Sequence, residues 1–225
     1  MIIIDGEPIK PPAPLVSTSY IDGAEVRFRA RPRHKNVRFL VIHETAGNTK
    51  QGVIDNFARP RRTKAGTRYY AGVQLILDRN GYMSCHGDLI RDRMVHANQL
   101  NNESVGIEIV NPYAPSLAKL DSGDVPQVID ANWWTWCPDK NDRRYLCPSP
   151  AQLSALRMWV PWLCGKLEIP YEFPTWYLDS TQRKIKGWSI GAKPDAGVVA
   201  HRDFGKHADG RWPLEYLIAD KLRRG

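Results

Sequence analysis

The chain has 225 residues, of which 42% are hydrophobic and 10% aromatic, and this composition predicts a globular domain and excludes a disordered chain. No apolar run approaches the roughly 18 to 20 residues that cross a membrane, so we expect no membrane span. The three N-terminal isoleucines are followed by Asp5 and Glu7, unlike the apolar core of a signal peptide. We therefore expect synthesis in a cytoplasm.

The net charge of +8 indicates either a solubility surface or a polyanionic partner. The basic residues form small clusters at 59–62 and 221–224, and they lack the interleaved aromatic residues typical of nucleic-acid binding. We therefore expect no nucleic-acid partner, and an anionic cell surface is the better candidate.

The four cysteines include no CxxC pair, which argues against a zinc site made of cysteines alone. Cys137 and Cys147 flank a polar loop and could form a disulfide in an oxidising compartment. Free thiols are the default for a protein made in a cytoplasm, and the sequence leaves both states open.

The first predicted elements are a strand and a helix. Residues 5–36 are rich in Pro, Arg and Lys and predict an irregular N-terminal extension. The β-branched run at 37–43 predicts a buried central strand that ends at His43, and residues 44–47 break it. A helix follows, with Asn48 or Thr49 as its N-cap and Pro60 as its stop. Its apolar positions are Val53, Ile54 and Phe57.

Two further strands follow the helix. Residues 71–78 predict a strand that returns through an Arg-Asn-Gly turn to a partner at 82–86, and residues 104–110 predict another strand. The next segment, 111–147, is predicted to be loop-rich. Its tryptophans at 133–136 could hold sugar rings or pack on the sheet.

The C-terminal part predicts two helices separated by a strand. Ser149 and Gln152 form a capping box for a helix that Pro161 should kink. A short strand at 198–201 ends in His201, and a last amphipathic helix spans 213–224. Because strands alternate with helices, the chain is predicted to be α/β, with one mixed sheet and helices on its faces.

Three chemical features coincide in this pattern. His43 and His201 each end a strand, Asp209 follows eight residues after His201, and Glu108 lies in an otherwise apolar strand. Two histidines and one carboxylate suit zinc with an open fourth position, and a nearby glutamate suits proton transfer. The alternative is a set of hydrogen-bonded surface histidines and a solvent-facing Glu108.

Four segments in this order, VIHETAG, LILDRNG, VHANQLNNESVGIE and VVAHRDFGKHADG, resemble the zinc amidase family. That family contains phage endolysins, bacterial N-acetylmuramoyl-L-alanine amidases and the peptidoglycan recognition proteins. The resemblance covers about 37–217, with insertions at 111–147 and 172–196. It implies a single peptidoglycan recognition protein-like catalytic domain at 37–225, preceded by an extension at 1–36.

The resemblance also implies roles for individual residues. His43, His201 and Asp209 match the three ligands of one zinc ion, and Glu108 matches the catalytic glutamate. Some family members use a tyrosine on the second strand instead, and Val73 occupies the matching position here. Glu108 should therefore transfer the proton alone.

Other positions depart from the family pattern or line its groove. His207 stands where the family has Lys or Arg to stabilise the oxyanion, and Lys206 is the alternative for that role. His207 could also replace Asp209 as a ligand. His96 and Asn102 match the segment that lines the substrate groove.

The implied reaction is hydrolysis of the amide between N-acetylmuramic acid and L-alanine of bacterial peptidoglycan. We expect a monomer most like a phage endolysin, made in the host cytoplasm and released to act on the cell wall. Its basic charge should hold it on the anionic wall surface. The alternatives are a non-catalytic peptidoglycan-binding module and an intracellular muropeptide-recycling amidase.

Overall fold

The computed structural model describes residues 1–12, 27–45, 47–113, 128–130, 144–174, 195–203 and 209–224. Within these ranges the strands are β1 (Ile2–Ile4), β2 (Glu7–Ile9), β3 (Arg31–Pro32), β4 (Phe39–Glu44), β5 (Arg61–Arg62), β6 (Arg68–Tyr69), β7 (Leu75–Leu77), β8 (Met83–Cys85), β9 (Asp92–Arg93), β10 (Ser104–Ile109), β11 (Val128–Asp130), β12 (Arg144–Leu146) and β13 (Gly197–Ala200). The helices are α1 (Lys50–Ala58), α2 (Pro150–Lys166) and α3 (Arg211–Arg224).

Five strands form the central sheet, in the order β13-β4-β10-β7-β8. The first four are parallel to their neighbours, and β8 runs antiparallel to β7. The predicted mixed sheet is thus confirmed. Strands β4, β10 and β13 are buried along their whole length, as expected for parallel strands covered on both faces.

Helices cover the two faces of the sheet. The largest core cluster joins α2 and α3 to one face, where Ile42, Ile107 and Ile109 point. Helix α1 packs its Val53, Ile54 and Phe57 in a second cluster that includes Ile76. Because side chains alternate along a strand, His43 and Glu108 point to the face that carries α1.

The predicted starts of α1 and α2 are confirmed. The Thr49 side chain accepts a hydrogen bond from the Gly52 N–H at the start of α1. Ser149 and Gln152 form the expected capping box of α2, which continues through Pro161 as one helix of 17 residues. Among the described residues, no helix is long and apolar enough to cross a membrane.

Two segments are more ordered than predicted. The irregular extension expected at 5–36 contains β2 and β3, and the hairpin β1–β2 places Ile2 and Ile3 in the main core. Asp88 holds this hairpin by accepting hydrogen bonds from the backbone N–H groups of Asp5 and Gly6. These contacts between distant residues leave no local pattern in the sequence.

The segment 111–147, expected to be loop-rich, contains the antiparallel pair β11–β12. Tyr145 and Leu146 of β12 are buried, and Cys147 directly after it is a buried free thiol. The tryptophans at 133–136 and Cys137 lie outside the described residues.

Candidate metal centre

Three predicted ligands converge at one edge of the sheet. His43 lies near the end of β4, His201 directly follows the parallel neighbour β13, and Asp209 precedes α3. The Nδ1 atom of His201 is 2.7 Å from Asp209 Oδ2, and His43 Nδ1 is 3.5 Å from the same oxygen. One potential ligand atom from each residue lies within 4.8 Å of the others, so the three could bind one metal ion.

The backbone of β4 fixes the position of Asp209. The Glu44 N–H donates to Asp209 Oδ1 over 2.5 Å. The next residue, Gly210, has a φ of +79° and lies against β4, and a Cβ there would be 2.0 Å from the Ile42 carbonyl oxygen. Glycine is therefore required at 210, since any side chain would push Asp209 away from the histidines.

The charges in this cluster suit a divalent cation. Burial alone would raise the pKa of Asp209, but its hydrogen bond with His201 and the nearby His43 outweigh burial and lower it. Burial lowers the pKa of His43, although Asp209 opposes this shift. An ionised carboxylate and a neutral imidazole are the forms that bind zinc.

The three residues open onto a cleft of about 470 Å³. Its lining includes Glu108, His96, Arg61 and residues of α1. Glu108 is only 8% exposed. Burial raises its pKa well above the usual value, the negative charges of Asp209 and Glu44 raise it further, and Arg61 lowers it. A buried carboxyl with a raised pKa beside a metal site is suited to proton transfer.

His96 contacts the first histidine of the cluster. Its Nδ1 lies 3.0 Å from His43 Nε2, and its Nε2 lies 3.2 Å from Ser104 Oγ. Burial, with His43 and His201 nearby, lowers the pKa of His96 well below its usual value. His96 also lines the cleft, and its role in binding substrate stays a prediction.

The neighbouring asparagines differ in position. Asn102, predicted in the substrate groove, is not among the described residues that line the cleft. Its neighbour Asn101 accepts hydrogen bonds from the backbone N–H groups of His96 and Ala97 through Oδ1. Asn101 therefore holds the backbone that carries His96. His207 and Lys206, the candidates for the oxyanion, lie outside the described residues.

Sequence reasoning missed the environment of Glu44. It placed Glu44 among the residues that break the strand, whereas Glu44 ends β4 and is only 3% exposed. Its Oε1 accepts hydrogen bonds from the Tyr145 hydroxyl and from Asn111 Nδ2. Burial raises the pKa of Glu44 to about 8. Its position directly after the candidate ligand His43 in a buried strand was the available signal.

Family comparison supports the resemblance. The model of the N-acetylmuramoyl-L-alanine amidase family matches residues 33–211. This match spans most of the chain, so the chain belongs to that family, as its four motifs predicted. A search of curated proteins found no significant match.

Among solved structures, this chain is similar to the endolysin N-acetylmuramoyl-L-alanine amidase LysCS from Clostridium intestinale. The two chains share 14% identity with a TM-score of 0.49, and the match covers 88% of this chain and 94% of that one. It is also similar to Drosophila peptidoglycan recognition protein LB, with 14% identity, a TM-score of 0.49 and 92% coverage of both chains. Drosophila peptidoglycan recognition protein SA matches with 11% identity, a TM-score of 0.46 and coverage of 83% and 80%.

Proposed function

We propose that this protein is a zinc-dependent amidase that hydrolyses the bond between N-acetylmuramic acid and L-alanine in bacterial peptidoglycan. The observation that carries the proposal is the convergence of three potential ligand atoms within 4.8 Å, in the cleft that Glu108 also lines. Membership of the amidase family supports the choice of substrate bond.

His43, His201 and Asp209 would hold the zinc ion. Two imidazoles and one carboxylate form the three-ligand set of hydrolytic zinc sites, which leaves a fourth position open. A zinc ion held by these residues would supply Lewis acidity, which can lower the pKa of a bound water to about 7 and polarise a carbonyl group.

Glu108 would move the proton. Its carboxylate accepts a proton from the attacking water and passes it to the nitrogen of L-alanine as the amide breaks. Burial raises the pKa of Glu108, and a carboxylate with a raised pKa accepts a proton from water more readily. A cleft of about 470 Å³ has the size expected for a ligand site of this kind. The role of His207, or of Lys206, in stabilising the oxyanion remains a prediction from the sequence.

Two features favour catalysis over a non-catalytic binding module. A module without activity needs neither a complete ligand set nor a base, and this chain has candidates for both in one cleft.

We further propose that the enzyme acts on the wall as a phage endolysin. The net charge of +8 and an acid-free stretch from 56 to 77 beside the cleft support attraction to an anionic wall.

The proposed zinc dependence is tested by removing the metal and adding it back. Purified protein is stripped with a chelator, dialysed, and assayed on purified peptidoglycan with and without one equivalent of zinc. We expect the metal-free protein to release no stem peptides and zinc to restore release. Full activity of the stripped protein would contradict a zinc mechanism.

A further inference from the structure

We propose that His96 is a positioning residue for the metal centre, because a directed chain of hydrogen bonds through it presents Nδ1 of His43 to the metal. This inference rests on the proposed function, since it assumes that His43 binds zinc. It assigns to His96 a role beyond the substrate contact that the family resemblance implies.

The direction of the chain starts at a backbone carbonyl. Ser104 Oγ lies 2.8 Å from the Leu100 carbonyl oxygen, which can only accept, so the hydroxyl proton of Ser104 is directed there. Ser104 Oγ must then accept from His96, whose Nε2 lies 3.2 Å away. His96 Nε2 therefore carries the proton of the neutral ring.

The hydrogen bond between His96 and His43 has the opposite roles, with His96 as the acceptor. With its proton on Nε2, His96 presents an unprotonated Nδ1, which lies 3.0 Å from His43 Nε2. His43 Nε2 must therefore be the donor of this bond. The proton of neutral His43 then resides on Nε2, and its Nδ1 lone pair is free on the side of Asp209, where Nδ1 lies 3.5 Å from Oδ2.

Two further features hold the ring of His96 in place. Gly106 lies under it, and a Cβ at 106 would be 2.8 Å from His96 Nδ1. Asn101 accepts hydrogen bonds from the backbone N–H groups of His96 and Ala97. Glycine at 106 leaves space for the imidazole ring of His96, and the Asn101 side chain fixes the backbone at His96 and Ala97.

The test compares zinc affinity in variants of the whole protein, measured by competition with a chromogenic chelator. His96→Leu removes the acceptor and should weaken zinc binding about 10- to 100-fold. His96→Asn places an amide oxygen near the position of Nδ1 and should restore most of this affinity. His34→Leu, at an exposed histidine, is the matched control and should bind zinc like the wild type.

A double-mutant cycle tests whether Ser104 acts on zinc binding through His96. Ser104→Ala should weaken zinc binding in the wild-type background and have no further effect in the His96→Leu background. Melting temperatures of the metal-free variants report folding, and the visible spectrum of the cobalt-loaded proteins reports the ligand geometry independently of activity.

The outcomes separate this inference from the proposed function. Unchanged zinc affinity in His96→Leu, with or without a raised KM, would overturn the positioning role and leave the amidase proposal standing. Equal losses in His96→Leu and His96→Asn with intact folding would overturn the hydrogen-bond direction. A wild-type protein that binds no zinc would overturn both proposals.

Discussion

Glu108 and His43 are paired in register on the neighbouring parallel strands β10 and β4. Backbone hydrogen bonding in the middle of the sheet therefore sets the distance between the proposed base and the first proposed ligand. Both strands are buried along their whole length, so the pair rests on rigid elements. Catalytic groups held this way need no loop closure to reach each other.

Zinc should stabilise the fold through the three converging ligands. At a free zinc concentration 100-fold above Kd, binding adds about 2.7 kcal/mol, which corresponds to a rise in Tm of roughly 5 to 10 °C. Asp209→Asn keeps the size of the side chain but removes its charge, and it should abolish this rise at the same zinc concentration. Thermal unfolding measures the effect, with Asp195→Asn at an exposed position as the control. An equal rise in Asp209→Asn would exclude Asp209 as a ligand.

The pH dependence should follow the ionisation of Glu108. A general base must be ionised, so kcat/KM should fall as pH decreases through the raised pKa of Glu108. Arg61 lowers that pKa, so Arg61→Gln should raise it and move the acid limb of the profile to higher pH.

Arg62→Gln is the matched control for this shift. Arg62 is exposed and follows Arg61 on strand β5, and its side chain donates to the Gly66 carbonyl. Its substitution changes the net charge equally and should leave the acid limb in place. Identical profiles for Arg61→Gln and the wild type would show that Arg61 does not act on the base.

Gly106→Ala should destabilise the protein. The added Cβ would lie 2.8 Å from His96 Nδ1 and 2.9 Å from Val73 Cγ1, both closer than packing allows. Overpacking of this kind costs about 1 to 3 kcal/mol in the free energy of unfolding, which urea denaturation measures. Gly165→Ala in α2 meets no atom within 4 Å and should instead stabilise by roughly 0.5 to 1 kcal/mol. A neutral Gly106→Ala would mean that the ring of His96 can move without cost.

Wall lysis should weaken with salt. The Debye length falls from about 10 Å at 0.1 M to about 3 Å at 1 M, so attraction between the basic protein and an anionic wall is screened. Lysis rates of purified walls should therefore fall with ionic strength, whereas cleavage of a small soluble muropeptide should change little. Replacing Arg62, Lys64 and Arg68 with Gln should reduce the salt dependence. Equal wall-lysis rates at both ionic strengths would contradict electrostatic attraction.

Local sequence patterns predicted most of the elements that carry the site. The β-branched run before His43 and the capping box at Ser149 are short-range signals, and both define elements seen in the structure. Two histidines at the ends of strands also predicted a shared site, because neighbouring parallel strands end at the same edge.

The remaining features depend on contacts between distant residues. Glu44 meets Tyr145 across 101 positions of the chain, and the latter belongs to an insertion without a recognisable pattern. The contact between His96 and His43 requires the loop before β10 to fold back over Gly106. No periodic pattern in the sequence predicts this loop conformation. Such contacts emerge only when the sheet is assembled.

The most direct measurement compares zinc-loaded wild type with zinc-loaded Glu108→Gln on purified peptidoglycan, with the products identified by mass. The wild type should release stem peptides that begin with a free L-alanine amine, and Glu108→Gln should bind zinc equally but release them about 100- to 10,000-fold more slowly. A wild type that binds zinc and the wall but releases no peptide, or a variant as fast as the wild type, would contradict the proposed mechanism.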